Sequence, residues 1–371
     1  MLLTPENALA YLMDHGLIAP DVVLEGDLML VDASRRNTNI KAIRPEAPGL
    51  FLKQIKTMDP QSVSALQREA WVYWLAVNQP GFEALRPIIP AYHGYDQRAA
   101  VLVVEHVQGS QSLHEHYLAY GQFPEEVAEA LGEAFGAYHA GTLGLLERQP
   151  DMAPDMANAS IFPKTPPWVL SLHHMAAQAG GQMSGANAHL IRILQTYPEF
   201  PERFDALRRD WRIETLIHGD VKWDNVVVHR ASQDEPLQVK LVDWELADFG
   251  DRAWDLGSIL QAFIADWVMA MPLDGAVHGQ RGLPEHRFEQ VQPTLEHFWR
   301  AYRTRAGLAD EAASDLLARS MAYGAARMVL TTYEYMQYAQ HLSSNALALL
   351  QLSADILADP QRMLRQLLRL H

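Results

Sequence analysis

The chain has 371 residues, carries a formal net charge of −15 and contains no cysteine. Without cysteine neither disulfides nor thiolate metal sites can form, and the acidic charge disfavours a nucleic-acid partner because two polyanions repel each other. No apolar run is long enough to span a membrane, and the first residues lack the basic region of a secretory signal. We therefore expect a cytoplasmic protein without a nucleic-acid or membrane partner; the oligomeric state is left open.

The N-terminal part of the chain alternates between helical and extended patterns. Apolar periodicity predicts helices over 5–16 and 60–78. Short runs rich in apolar and β-branched residues predict strands over 22–24, 28–31, 39–43, 50–55, 87–92 and 99–104.

One charged residue interrupts the strand pattern. Lys53 lies within the apolar run 50–55, where an unpaired cation would be costly to bury. Helix 60–78 offers a partner in Glu69, which lies beside a stripe of apolar residues. We therefore predict an ion pair between Lys53 and Glu69.

The rest of the chain reads as mainly helical. Residues 145–166 are irregular, Gly180-Gly181 marks a break, and helical patterns cover 125–143, 167–212, 253–270, 284–306, 309–340 and 344–370. Adjacent helical side chains point to different faces, so His173 and His174 are not expected to share a metal ion.

The most informative stretch lies between residues 216 and 256. A short apolar run leads into His218-Gly219-Asp220, Asn225 follows five residues after Asp220, and a second apolar run ends in Asp243. An amide and a carboxylate oxygen suit the hard ion Mg²⁺, whose other ligands are waters and phosphates. Phosphoryl transfer depends mainly on charge neutralisation and positioning. The order resembles that of protein kinases, in which a catalytic-loop Asp is followed by an Asn and a strand-ending Asp that bind Mg²⁺, and this resemblance implies magnesium-dependent phosphoryl transfer.

These motifs identify a family. With its His-Gly-Asp…Asn, Asp-Trp-Glu and Gly-Asp…Asp-Leu signatures, the chain resembles the aminoglycoside phosphotransferase and choline kinase-like family. The resemblance implies an α+β, bilobal, protein-kinase-like fold with ATP, or alternatively GTP, as donor and Mg²⁺ as metal. We expect a small N-terminal lobe over 1–105, with an antiparallel sheet and one main helix. A larger, mainly helical lobe is expected over 106–371, with a helical insert at about 145–212.

The resemblance also implies a nucleotide site. The Lys53–Glu69 pair would position the α- and β-phosphates, with Lys56 as the competing phosphate lysine. The loop 32–39 would cover the phosphates although it lacks the glycines of protein kinases. The other candidate nucleotide contacts are Ser34, Arg35 and Asn37 in this loop and the backbone of Glu105 and Val107 in the hinge after strand 99–104.

The same resemblance distributes the catalytic roles. Asn225 and Asp243 would hold Mg²⁺, and Asp220 would accept the hydroxyl proton or orient the hydroxyl. Lys222 would neutralise the γ-phosphoryl group. We assign His218 and Asp255 the role of supporting the loop that carries Asp220. Asp248 opens a literal Asp-Phe-Gly sequence, but it lies beyond the end of the apolar run, and we expect it to be a solvated loop residue without a metal.

Three functions remain open from the sequence alone. The first is a kinase of small hydroxyl compounds such as an aminoglycoside, an amino alcohol or a sugar, which the acidic charge favours. The second is a kinase of peptide Ser or Thr residues, as in lanthipeptide-type biosynthesis. Lys222 and Arg35-Arg36 slightly favour this second function. The third is a pseudokinase-like binding module, disfavoured because the candidate catalytic residues are all present.

Overall fold

The structure is a computed structural model that describes residues 2–45, 47–121, 123–149, 161–175, 183–230, 234–273, 288 and 291–369. The chain divides into two compact units. The sheet unit comprises Met1–Ser112, Leu145–Pro163 and Asn225–Ala247, and the helical unit comprises Leu113–Gly144, Lys164–Asp224 and Asp248–His371. The division into domains at residue 105 stays a prediction. Parts of the predicted insert, the Gly180-Gly181 break and the start of the helix at 284 lie outside the described residues.

The sheet unit is built around a five-stranded antiparallel sheet in the order β1-β2-β3-β5-β4. Its elements are α1 (Pro5–Asp14), α2 (Pro20–Leu24), β1 (Met29–Asp32), β2 (Thr38–Ile43), β3 (Gly49–Gln54), α3 (Pro60–Asn78), β4 (Tyr92–Asp96) and β5 (Val101–His106). Alternate side chains of β2, β3 and β5 join residues of α1 in one apolar core. Because side chains alternate along a strand, Leu52 enters this core and Lys53 points to the opposite face, towards α3.

A second, smaller sheet belongs to the same unit. It contains β6 (Gln111–Ser112), β8 (Val226–His229) and β9 (Gln238–Leu241), in the order β6-β8-β9. The unit also holds the short helix α6 (Leu145–Arg148). Since β8 and β9 are antiparallel neighbours, the residue before β8 and the residues after β9 lie at the same end of the hairpin.

Two of the predicted strands are wrong. Residues 22–24 belong to helix α2, whose first position is Pro20, a placement that proline's fixed φ favours. The 3₁₀ turn Glu83–Ile88 overlaps the start of the region predicted as strand 87–92, and strand β4 begins only at Tyr92. Proline lacks the N–H that a sheet needs, so Pro87 and Pro90 disfavour a strand before Tyr92. The helix predicted over 60–78 is confirmed, as α3.

The helical unit is dominated by long helices. They are α4 (Leu113–Tyr120), α5 (Glu125–Thr142), α7 (Gly185–Thr196), α8 (Glu199–Arg209), α9 (Arg252–Ala270), α10 (Gln292–Arg305), α11 (Asp310–Tyr335), α12 (Ser344–Ala358) and α13 (Pro360–Met363), with a 3₁₀ segment at Trp168–His174 and a π turn at Leu364–Leu368. Two short strands, β7 (Thr215–Ile217) and β10 (Asp248–Gly250), pair antiparallel. Among the described helices, none is both long and apolar enough for a bilayer crossing.

Helices α9 and α11 approach each other through glycine. A Cβ atom on Gly257 would overlap the backbone carbonyl of Ser320, and one on Gly324 would lie 2.9 Å from the carbonyl oxygen of Gly257. Contacts this short are essentially absent between real Cβ atoms and backbone oxygens. The crossing therefore requires glycine on both helices.

Candidate active site

In the sheet unit, Lys53 lies at the centre of a cluster of carboxylates. Its Nζ is 2.6 Å from Glu69 Oε2, forms a short ion pair with Asp243 Oδ1, and lies 3.8 Å from Glu245 Oε2. Burial alone lowers the pKa of Lys53, but the three carboxylates outweigh it and hold the pKa above its ordinary value. Lys53 therefore remains charged, and the expected pair with Glu69 is present.

The competing lysine lies elsewhere in this unit. Lys56 is exposed, and its Nζ donates to the carbonyl oxygen of Arg35 at 2.6 Å. The loop 32–39 is closed by its own hydrogen bonds, with Asn39 N donating to Ser34 Oγ at 3.1 Å and Arg35 N donating to Asn37 O at 3.1 Å. Lys56 thus contacts the loop, whereas Lys53 contacts the carboxylates.

Asn225 and Asp243 lie together at one end of the β8–β9 hairpin. Val242 N donates to the carbonyl oxygen of Asn225 at 3.0 Å, and Asn225 is buried. Asp243 has φ of 66°, in the left-handed region that residues other than glycine seldom adopt. Such strain persists only where the surroundings enforce it, and it is frequent at functional sites. An amide and a carboxylate at neighbouring backbone positions form an all-oxygen donor set that fits Mg²⁺.

Backbone groups of the hinge residues form hydrogen bonds with other residues of the protein. Glu105 N donates to the carbonyl oxygen of Ala91 at 2.8 Å, and the carbonyl oxygen of Val107 accepts from Ser110 Oγ at 2.7 Å. Contact of this segment with adenine stays a prediction.

In the helical unit, Asp220 lies between two cations. Lys222 Nζ donates to Oδ2 at 2.6 Å, and Arg327 Nη2 donates to Oδ1 at 3.1 Å. Burial raises the pKa of Asp220, but Arg327 and Lys222 more than offset it and lower the pKa to about 2. The carboxylate is therefore ionised and held from both sides.

Arg327, which contacts Asp220, is not among the site residues predicted from the sequence. It lies on α11, 107 residues from Asp220, and only 2% of its side chain is exposed. A signal existed in the sequence, because an arginine between Ala326 and Met328 in an apolar stretch needs a buried partner, as Lys53 does. The sequence could not show which carboxylate would meet it.

The backbone of the 218–220 loop is held by Asp255. His218 N donates to Oδ2 at 2.7 Å and Gly219 N donates to Oδ1 at 3.0 Å, while Tyr138 Oη also donates to this carboxylate. Asp255 is fully buried. Within the loop, Asp220 N donates to His218 Nδ1 at 3.3 Å. Asp255 therefore fixes the backbone of the loop and Arg327 the side chain of Asp220.

The interpretation of Asp248 as a solvated loop residue is wrong. Asp248 is buried in β10, and its carboxylate accepts from Lys164 N at 2.9 Å and from Phe249 N at 2.8 Å. The loop after Asp243 is short, and the chain continues as strand β10, which pairs with β7. This pairing buries Asp248. Its carboxylate anchors backbone N–H groups.

Comparison with known proteins gives a consistent assignment. The family model described as "Phosphotransferase enzyme family" matches residues 33–289. No curated protein sequence matches the chain significantly.

Among solved structures, the GDP and kanamycin complex of APH(2")-IIia is similar with a TM-score of 0.52 at 15% identity, covering 97% of this chain and 99% of that chain. The choline kinase LicA from Streptococcus pneumoniae has a TM-score of 0.46 at 11% identity, covering 93% and 99%. A choline/ethanolamine kinase family protein from Mesorhizobium loti has a TM-score of 0.48 at 16% identity, covering 96% and 97%. The predicted protein-kinase-like α+β fold is confirmed.

Proposed function

The chain belongs to the phosphotransferase enzyme family, and we propose that it transfers the γ-phosphate of ATP to a hydroxyl group of a small molecule. The observation that carries the proposal is the ionised carboxylate of Asp220, held by Arg327 on one oxygen and by Lys222 on the other. A carboxylate fixed in this way can orient an acceptor hydroxyl and accept its proton.

On the donor side, Lys53 positions the α- and β-phosphates, because Glu69 fixes its ammonium group in a buried site. Ser34, Arg35 and Asn37 contribute hydrogen bonds and charge to the phosphates from the loop 32–39. Asn225 and Asp243 would hold Mg²⁺, which would neutralise phosphate charge when bound.

On the acceptor side, a pKa of about 2 makes Asp220 a weak base. Its main contribution is therefore to orient the hydroxyl, and it takes the proton late, as a loose phosphoryl-transfer transition state allows. The side chain of Lys222 is 42% exposed and that of Arg327 only 2%. Lys222 is thus the cation that can leave Asp220 for the transferring phosphoryl group, while Arg327 stays on the carboxylate.

We favour an aminoglycoside, an amino alcohol or a sugar as acceptor. APH(2")-IIia was solved with kanamycin, and the net charge of −15 supports attraction of a cationic acceptor. The GDP in the same complex makes GTP the alternative donor to compare with ATP.

The test is a panel screen for phosphate transfer with Mg²⁺ and either ATP or GTP. The panel contains aminoglycosides, amino alcohols, sugars and peptides with Ser or Thr, and mass spectrometry identifies the products. Asp220→Asn should reduce turnover by several orders of magnitude and leave nucleotide binding unchanged. Asp224→Asn is the matched control, since Asp224 is exposed in the same loop. Transfer to peptides alone, or transfer that survives Asp243→Ala, would contradict the proposal.

A further inference from the structure

Two histidines and a carboxylate converge in the helical unit, apart from the residues assigned to phosphoryl transfer. His173 and His174 end the 3₁₀ segment Trp168–His174, and Asp205 lies on α8. Asp205 Oδ1 is 3.4 Å from His173 Nε2 and 3.2 Å from His174 Nε2. The three atoms that could ligate a metal lie within 4.8 Å of one another.

This arrangement contradicts the expectation that adjacent histidines diverge. The expectation assumed regular helical spacing, but the segment 168–174 ends at His174, where that spacing no longer applies. The two imidazole rings lie close together, with centroids 3.8 Å apart and planes tilted by 44°. Both rings therefore present Nε2 to the same carboxylate oxygen.

The state of His173 indicates that a ligand belongs here. Its side chain is only 4% exposed. Among the residues that the structure describes, Nδ1 has no hydrogen-bond partner, and Nε2 has only the 3.4 Å approach of Asp205 Oδ1. Buried polar atoms without partners are costly and rare.

The distances match a transition-metal site. Ligand atoms at about 2.0–2.1 Å from a tetrahedral ion lie about 3.3–3.4 Å from one another, close to the two observed Nε2–Oδ1 separations. The backbone is also fixed, because Gln195 Nε2 donates to the carbonyl oxygens of His173 and Met175 at 3.0 Å each. Little rearrangement would be needed for an ion to bind.

We propose that His173 Nε2, His174 Nε2 and Asp205 Oδ1 form a binding site for a divalent transition metal of the zinc class. The side chains of His174 and Asp205 are 54% and 41% exposed, so the fourth coordination position faces solvent. Imidazole ligands favour Zn²⁺, Cu²⁺ and Ni²⁺ over Mg²⁺. The site is therefore distinct from the proposed magnesium site, and it would tie the 3₁₀ segment to α8.

The test is calorimetric titration of tag-free, chelator-treated full-length protein with Zn²⁺, with and without millimolar Mg²⁺. We expect one Zn²⁺ per chain that Mg²⁺ does not displace. His174→Ala and Asp205→Asn change exposed residues, so both proteins should fold, and each should weaken Zn²⁺ affinity by on the order of 100-fold, since even outer-shell changes cost about 10–100-fold.

Two control variants separate this site from other surface histidines. His189→Ala removes an exposed histidine from the neighbouring α7, and His297→Ala breaks a separate group in which Glu125 and Glu129 lie near His297. Both should bind Zn²⁺ like the unaltered protein. The proposal is overturned if the unaltered protein binds no Zn²⁺, if Mg²⁺ displaces the ion, or if affinity survives His174→Ala and Asp205→Asn.

Discussion

Replacing Arg327 by methionine should make Asp220 titrate at higher pH. In the unaltered protein the pKa of this carboxylate is about 2 against an ordinary value of 3.8. At about 1.4 kcal/mol per pKa unit, the difference favours the charged form by roughly 2–3 kcal/mol. Arg327 contributes more than this net figure, because burial, the largest single influence on this pKa, acts in the opposite direction. Without Arg327, burial is opposed chiefly by Lys222, and the pKa should rise to or above 3.8.

The sign of the effect follows from a lowered native pKa. Ionised Asp220 stabilises the folded state above its ordinary pKa, and that stabilisation is lost as the pH falls towards about 2. In Arg327→Met the native pKa lies at or above the ordinary value, so ionised Asp220 no longer contributes this stability, and the acid limb of kcat/KM moves upward by roughly two pH units or more. The assay is kcat/KM from about pH 2 to pH 8, with Tm measured at each pH.

Arg319→Met provides a matched control on the same helix. Arg319 Nε is 3.0 Å from Asp251 Oδ2, and its side chain is 11% exposed. Removing one partner of a buried pair costs about 3–5 kcal/mol of stability in either variant. Of these two arginines, Arg327 is the one that contacts Asp220. Since protonation of the nucleotide is common to all three proteins, identical acid limbs in all of them, or equal shifts in both variants, would refute the reasoning.

Three further substitutions test other parts of the site. Lys53→Met should lower turnover by on the order of 100-fold, because the phosphates lose their fixed cation; unchanged initial rates would contradict that role. Asp255→Ala should lower Tm, since the buried N–H groups of His218 and Gly219 lose their acceptor at about 1–3 kcal/mol each; an equal Tm would remove the bracing role. Gly257→Ala should cost about 1–3 kcal/mol by forcing α9 and α11 apart, and a denaturant titration that matches the unaltered protein would contradict the close crossing.

The partner of a buried charged residue could be predicted from the sequence where that partner lay close in the chain, on an element with a regular apolar pattern. Lys53 needed a carboxylate, and one helix close in sequence carried a candidate in Glu69. The pair of Arg327 with Asp220 was not predicted, because helical periodicity indicates which face of a helix is buried but not which residue packs against that face. Asp248 was misread for a similar reason, since one of its backbone donors, Lys164, belongs to a distant segment.

Residues 22–24 show the limit for local patterns. A run of three apolar residues is too short to distinguish strand from helix, and Pro20 decided the outcome. The convergence of His173 and His174 occurs at the end of a 3₁₀ segment, where regular helical spacing stops, and two adjacent identical residues do not mark that end in the sequence.

The contact between Gly257 and Gly324 determines more than helix spacing. Asp255, two residues from one glycine, grips the main chain of the 218–220 loop, and Arg327, three residues from the other, grips its acid. The crossing of α9 and α11 therefore determines the positions of both Asp255 and Arg327. A change in the distance between α9 and α11 would therefore move the main chain of the 218–220 loop and the carboxylate of Asp220 relative to each other.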